Sequence, residues 1–126
     1  MSKKKGLILV VEDEPTIRSQ LASVFAGEGF PVEVAENGQV ALELLRSMEN
    51  LPSLIFLDLM MPVMDGISFI FALQTKNENV LFSKIPIVIV SAARKEAYGD
   101  VVAFLSKPPE IDDLIELAEK HAILCT

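Results

Sequence analysis

Leu54-Ile55-Phe56-Leu57-Asp58-Leu59-Met60-Met61-Pro62-Val63-Met64-Asp65-Gly66 is the stretch on which the fold turns. It begins as an apolar run without period-2 alternation, which reads as a strand buried on both faces. An ionised carboxylate inside such a strand costs on the order of several kcal/mol unless it is paired or metal-bound. Asp58 is therefore expected at the strand's end, where the run opens into a loop. Pro62 and the Asp65-Gly66 pair signal that the chain turns there. An acid displayed at the carboxyl end of a buried strand reads as functional, in preference to an Asp that merely caps a turn.

Strand and helix signals alternate on both sides of this run. Leu7-Ile8-Leu9-Val10-Val11 is a short apolar strand that stops at Glu12-Asp13-Glu14-Pro15. Ile17, Leu21, Val24 and Phe25 then recur at helical spacing, closed by Gly27 and Gly29. Phe30 to Ala35 alternates and carries Pro31, as an edge strand can. Asn37-Gly38 opens a helix with Val40, Ala41, Leu44, Leu45 and Met48 on its apolar face. After the central strand, Asp65-Gly66 introduces a third helix, read with Ile67, Ile70, Phe71 and Leu73 facing inward. Ile85 to Val90 is another fully apolar strand, stopped at Ser91. The segment 92–101 is ambiguous. Val102-Ala103-Phe104-Leu105 reads as a last strand before Ser106-Lys107-Pro108. Ile111, Leu114, Leu117, Ala118 and His121 mark a closing helix. Its first turn carries Glu110, Asp112 and Asp113, which suit the positive end of the helix dipole. Five strands alternating with helices predict an α/β fold, a doubly wound parallel sheet with helices on both faces.

Composition narrows the function classes. The 126 residues, 51% of them hydrophobic, fit one domain spanning 1–126 with a core that needs no staples. No apolar run approaches a membrane span, and no signal-peptide pattern follows Lys3-Lys4-Lys5, which read as a solvated terminus. The single cysteine, Cys125, leaves no disulfide framework or thiolate metal site, and a reduced cytoplasmic protein is expected. A net charge of −7 argues against nucleic-acid binding, which needs a basic face.

In an open parallel sheet, ligands bind beyond the carboxyl ends of the strands. Glu12 and Asp13 follow strand one, Asp58 follows strand three, Ser91 follows strand four and Lys107 follows strand five. These polar breaks converge on one edge. Three carboxylates and one lysine leave a local charge of about −2, and such crowding repels strongly. A divalent cation relieves it, and oxygen ligands without His or Cys favour Mg2+, or Mn2+, over zinc. A carboxylate beside magnesium and a lysine suits attack on a phosphoryl group, with the Ser91 hydroxyl as a donor to a phosphoryl oxygen.

Val10-Val11-Glu12-Asp13-Glu14-Pro15, Leu57-Asp58-Leu59-Met60-Met61-Pro62 with Asp65-Gly66, Ser91-Ala92 and Ser106-Lys107-Pro108 together resemble the receiver domain of two-component response regulators. The resemblance covers nearly the whole chain. It implies a flavodoxin-like five-stranded sheet of order 2-1-3-4-5. It also implies that Asp58 accepts a phosphoryl group from a sensor histidine kinase or a histidine phosphotransfer protein. On this likeness Glu12, Asp13, Asp58 and the backbone carbonyl of Met60 hold magnesium, Lys107 contacts the phosphoryl group, and Ser91 and Phe104 act as switch residues. A cis peptide before Pro108 is implied as well. The expected role is signalling to an output protein. Such a domain is no enzyme beyond its own phosphoryl uptake and slow self-dephosphorylation.

Each assignment has a plainer rival. Glu12 and Asp13 can cap the helix that begins near Pro15, and Ser91 can be a strand-ending hydroxyl satisfied by backbone. Lys107 alone would be a surface lysine, and an aromatic such as Phe104 is usually core. Asp65 reads as a helix N-cap, His121 as structural or solvent-facing, and Met60, Met61 and Met64 as gap-fillers. An aspartyl phosphohydrolase usually carries a second acid two positions on, where this chain has Met60. A flavin-binding relative would need a Ser/Thr-rich loop after strand one, and here that loop is acidic. The remaining alternative is a receiver-like interaction module that acts independently of phosphorylation. One departure from the family stands out. Ser91 and Lys107 lie closer in sequence than receivers usually have them, while the stretch around Asn77-Glu78-Asn79 looks longer. Crossovers between parallel strands normally need about a dozen residues or more. The fourth helix is thus expected to be shortened or absent, and the usual dimer through that face not to form, leaving a monomer.

Overall fold

The five strands of the main sheet in the computed structural model, which describes residues 3–92 and 101–125, form where strands were read from the sequence. In chain order the elements are β1 (Lys3–Lys5), β2 (Ile8–Val11), α1 (Pro15–Gly27), β3 (Val32–Ala35), α2 (Gly38–Ser47), β4 (Leu54–Leu57), α3 (Gly66–Leu73), a 3-10 helix (Val80–Lys84), β5 (Ile87–Ser91), β6 (Ala103–Ser106), α4 (Ile111–His121) and β7 (Ile123–Cys125). The main sheet has the order β3-β2-β4-β5-β6, with every pairing parallel. Leaving β1 aside, this is the expected 2-1-3-4-5 order. β2, β4 and β5 are wholly buried, as their lack of alternation required.

Successive side chains of each strand point to opposite faces, so the sheet divides the core in two. Leu9, Val11, Ile55, Leu57 and Ile89 pack with Leu42 and Leu45 of α2 and Phe69, Ile70 and Leu73 of α3. Ile8, Val10, Leu54, Phe56, Val88 and Val90 pack with Leu21 and Phe25 of α1 and Leu114 and Ala118 of α4.

Four readings need correction or addition. In α3 the inward face is Phe69, Ile70 and Leu73, whereas Ile67 is 39% and Phe71 66% exposed. The helix begins at Gly66, pressed against the backbone of Asp58 and Leu59, and that contact fixes the rotation: 66, 69, 70 and 73 share one face. Ser91 is the last residue of β5 and fully buried, inside the strand instead of beyond it. The extra length around Asn77–Asn79 is anchored, because Arg46 at the end of α2 forks onto the Glu78 carboxylate, with Nε 3.1 Å from both oxygens. The lysine-rich start is a strand: β1 pairs antiparallel with β7, Lys4 opposite Leu124. The expected shortening of the fourth helix falls on 93–100, outside the described residues.

Candidate functional site

The sheet register brings the acids together. Val11 stands opposite both Ala35 and Leu57. One residue later, the Glu12 amide donates to the Ala35 carbonyl at 3.0 Å and the Asp58 amide donates to the Val11 carbonyl at 3.0 Å. Each acid is therefore the first residue past a buried strand. Carboxylate oxygens of Glu12, Asp13 and Asp58 all lie within 4.8 Å of one another. Across the edge, the Lys107 amide donates to the Ser91 carbonyl at 3.1 Å, and Lys107 Nζ reaches Glu12 Oε1 at 2.5 Å and Asp58 Oδ2 at 3.5 Å. The Lys107-Pro108 peptide is cis, as the resemblance implied.

Local hydrogen bonding decides between ligand and cap for the acidic turn. Glu14, not Glu12 or Asp13, caps α1: its carboxylate accepts from the amides of Thr16 at 3.2 Å and Ile17 at 2.8 Å. Glu12 Oε2 accepts from the Glu14 amide at 3.2 Å, which holds the side chain toward the site. Arg18, four residues into α1, donates from one nitrogen, Nη1, to the Glu12 carbonyl at 3.0 Å and the Asp13 carbonyl at 3.3 Å. A cation so near a helix N-terminus runs against the dipole. That is the signal in the sequence that could have singled out Arg18.

Burial governs the electrostatics. Glu12 is 1% exposed, and desolvation pushes its carboxyl above the usual value of 4.5. The Asp58 charge pushes the same way, while the Lys107 ammonium and the Glu14 amide pull it back. Burial works to lower the Lys107 pKa, but Glu12 and Asp58 outweigh it and hold the ammonium above 10.5. Glu12 Oε1 is buried and has the Lys107 charge beside it without a hydrogen bond of good geometry. A buried acceptor in that state, among three convergent carboxylates and no soft donors, fits a hard divalent cation.

The loop after Asp58 is tightly built. A Cβ on Gly66 would stand 2.5 Å from the Asp58 carbonyl oxygen and 2.8 Å from Leu59 Cα, so no other residue fits. Asp65 caps α3 by accepting from the Ser68 amide at 2.8 Å, the role read from sequence. The Met64 amide donates to the Pro62 carbonyl at 2.8 Å across Val63, whose φ of 69° marks a strained γ-turn. Met60 is 70% exposed.

Of the residues read from sequence, Glu12, Asp13, Asp58 and Lys107 form one cluster. Ser91 lies at the same sheet edge, one strand over from Asp58. Phe104, in β6, is half-buried and packs against the α2/α3 side of the core. Glu14, Arg18 and the close packing of Gly66 were not anticipated.

Comparison with known proteins adds three findings. The family model described as the response regulator receiver domain matches residues 8–119. The alkaline phosphatase synthesis transcriptional regulatory protein SphR of Synechococcus elongatus is 41% identical over 97 residues, covering 71% of this chain and 35% of that protein. Response regulator Rre1 of Synechocystis is 34% identical over 116 residues, covering 85% of this chain and 47% of that protein. The chain thus spans half or less of the length of these relatives. Among solved structures, the receiver domain of the Francisella response regulator 1452 superposes with a TM-score of 0.79 at 28% identity, covering 93% of this chain and 96% of that one.

Proposed function

The chain belongs to the response regulator receiver domain family, and from that premise we propose that Asp58 is its phospho-acceptor and that uptake of the phosphoryl group depends on magnesium. The observation that carries this is the meeting of three carboxylates within 4.8 Å with the Lys107 ammonium at the mouth of a buried sheet. Glu12, Asp13, Asp58 and the Met60 carbonyl would hold the cation. Magnesium, when bound, neutralises the carboxylates and the charge that spreads over the phosphoryl oxygens in the transition state. A carboxylate oxygen of Asp58 attacks phosphorus, the N–P bond of a phosphohistidine breaks, and the imidazole nitrogen leaves with the bonding pair. Lys107 releases Glu12 and turns its ammonium to a phosphoryl oxygen, and the Ser91 hydroxyl donates to another. Phe104, half-buried in β6, reports the change to the surface.

The donor is a sensor histidine kinase or a histidine phosphotransfer protein. A groove lined by Thr16, Ile17, Gln20, Val24, Pro108 and Ile111 opens beside Lys107 and offers such a donor a partly apolar seat. The domain, spanning 1–126, acts in the cytoplasm as a monomer and signals to an output protein. It turns over no separate substrate. No helix among the described residues is long and apolar enough to cross a membrane.

Incubation with acetyl phosphate and magnesium should add one phosphoryl group by intact mass. The adduct should be absent with a chelator and absent from Asp58→Asn, which keeps the shape and removes the nucleophile. Stable, magnesium-dependent phosphate on the Asn variant would refute the assignment. Failure of the wild type to take phosphate from any donor would favour a module that acts independently of phosphorylation.

A further inference from the structure

We infer that Arg18 is a positioning residue that sets the geometry of the acidic pair, and with it the affinity for the divalent cation. This rests on the metal-dependent reading above and names the device that holds its ligands. The two peptide carbonyls on which the guanidinium sits are those of Glu12 and Asp13 themselves. Pinning two carbonyls in succession holds the peptides on either side of Asp13. With the Glu12 amide bonded to the Ala35 carbonyl, the peptides on either side of Glu12 are held as well, so both carboxylates project from a constrained backbone. Nη1 carries two N–H groups at a fixed angle, suited to two adjacent acceptors, and a charged donor makes the stronger bonds.

The location in the fold supports this. Arg18 is half-buried in the first turns of α1, whose side chains lean toward the N-terminus and so back over the acidic turn. Its amide donates to the Glu14 carbonyl at 2.9 Å, while Glu14 caps the helix from below. One turn of helix thus grips residues 12, 13 and 14 by three separate contacts. The guanidinium lies behind the carboxylates, on their carbonyl side. There it holds the turn through its carbonyls and leaves the carboxylate oxygens to a cation. Lys107, by contrast, approaches Glu12 on the carboxylate side and competes with the cation.

The test compares Arg18→Met, which keeps the length and loses the donor, with Arg18→Lys, which keeps a charged donor. Mn2+ titration by electron paramagnetic resonance reads cation affinity without phosphorylation. Arg18→Met should weaken Mn2+ binding by roughly five- to tenfold, less than the full factor for a lost charge-assisted hydrogen bond because Arg18 acts on the cation only through the ligands it positions, and Arg18→Lys should recover to within about twofold. With acetyl phosphate, the magnesium concentration for half-maximal rate should rise by the same factor in Arg18→Met, while the rate at saturating magnesium falls less than twofold. Circular dichroism melts establish that each variant is folded at the assay temperature. If Arg18→Met melts below it, Arg18→Gln takes its place and is expected to bind Mn2+ more weakly than Arg18→Lys.

Unchanged Mn2+ affinity in Arg18→Met, or equal losses in the Lys and Met variants, would overturn the inference and leave the assignment of Asp58 intact. A loss of rate that saturating magnesium does not repair would also overturn it, since Arg18 would then act on the fold or the chemistry. A wild type that binds no Mn2+ would overturn the metal-dependent reading, and this inference with it.

Discussion

On the proposed reading, Glu12 is the residue at which protonation would oppose metal binding most directly. Burial holds its carboxyl above 4.5, and a carboxyl must lose its proton to take a cation. Mn2+ affinity should therefore fall on acidification while exposed carboxylates are still ionised, and Glu12→Gln should abolish that early step. An affinity that stays flat down to pH 4.5 would be incompatible with Glu12 as a ligand. In the metal-free protein the sign for stability is fixed by the same shift. The folded state holds the Glu12 proton more tightly than the unfolded one, so this contribution falls as pH rises from 4.5 through the raised pKa and returns on acidification. Lys107 carries the same sign in a higher window: the stability from its raised pKa is fully present below 10.5 and is lost as pH rises through that raised value. Val63 shows strain of another kind, a β-branched residue at φ 69° with 84% of its surface in water. Val63→Gly loses almost no packing and relieves a conformation worth about 1–3 kcal/mol, offset in part by the greater freedom of glycine in the unfolded chain. Urea denaturation should show a net gain of about 1 kcal/mol, and a lower midpoint would mean that Val63 is held by contacts its exposure does not suggest.

Among the elements, α3 shows where a pattern in the sequence stops being sufficient. Gly66-Ile67-Ser68-Phe69-Ile70-Phe71-Ala72-Leu73 is apolar nearly all round, so periodicity alone leaves its rotation open. Tertiary contact settles it: Gly66 must lie against the Asp58 backbone, and Phe69 follows inward by helical spacing. Phe69→Ala should then cost about 3–5 kcal/mol, whereas Phe71→Ala should stay within about 0.5 kcal/mol. Comparable losses at the two positions in denaturant titrations would contradict this rotation. The strands were legible for the converse reason. β2, β4 and β5 carry uninterrupted apolar runs that end on a charge or a hydroxyl, and these endings line the candidate site. Glu12, Asp13, Asp58 and Lys107 could thus be read as one cluster. Arg18 left only a weak mark, a cation set against the dipole near a helix N-terminus, because its partners are backbone carbonyls that the sequence does not specify.

On the scale of the whole molecule, the sheet separates two ends with different work. The acidic cluster lies beyond the carboxyl ends of the strands, while β1 and β7 close the opposite end, where Lys3-Lys4-Lys5 gave no apolar pattern to announce a strand. The clasp is held at several points. The Gly6 amide donates to the Ala122 carbonyl at 2.6 Å, at the end of α4. Lys5 Nζ donates to the Glu28 carbonyl at the end of α1 and lies 5.1 Å from the centre of the Phe30 ring. A lysine at a helix C-terminus also suits the negative end of the dipole. A two-stranded ribbon alone is marginal in water, so this one persists through the helices it joins. Removing residues 1–5 deletes β1 and the Lys5 contacts together and should lower stability by about 2 kcal/mol. The four-residue strand β2 separates the clasp from Glu12 by roughly 13 Å, and the buried strands beside it transmit little of a loosened end. Mn2+ affinity and the rate of Asp58 labelling should therefore stay within about twofold of the intact chain, measured well below the melting transition. A truncated protein that is as stable as the parent would show that the clasp is ornamental. One that folds but loses the cation would show that the two ends of the sheet are coupled.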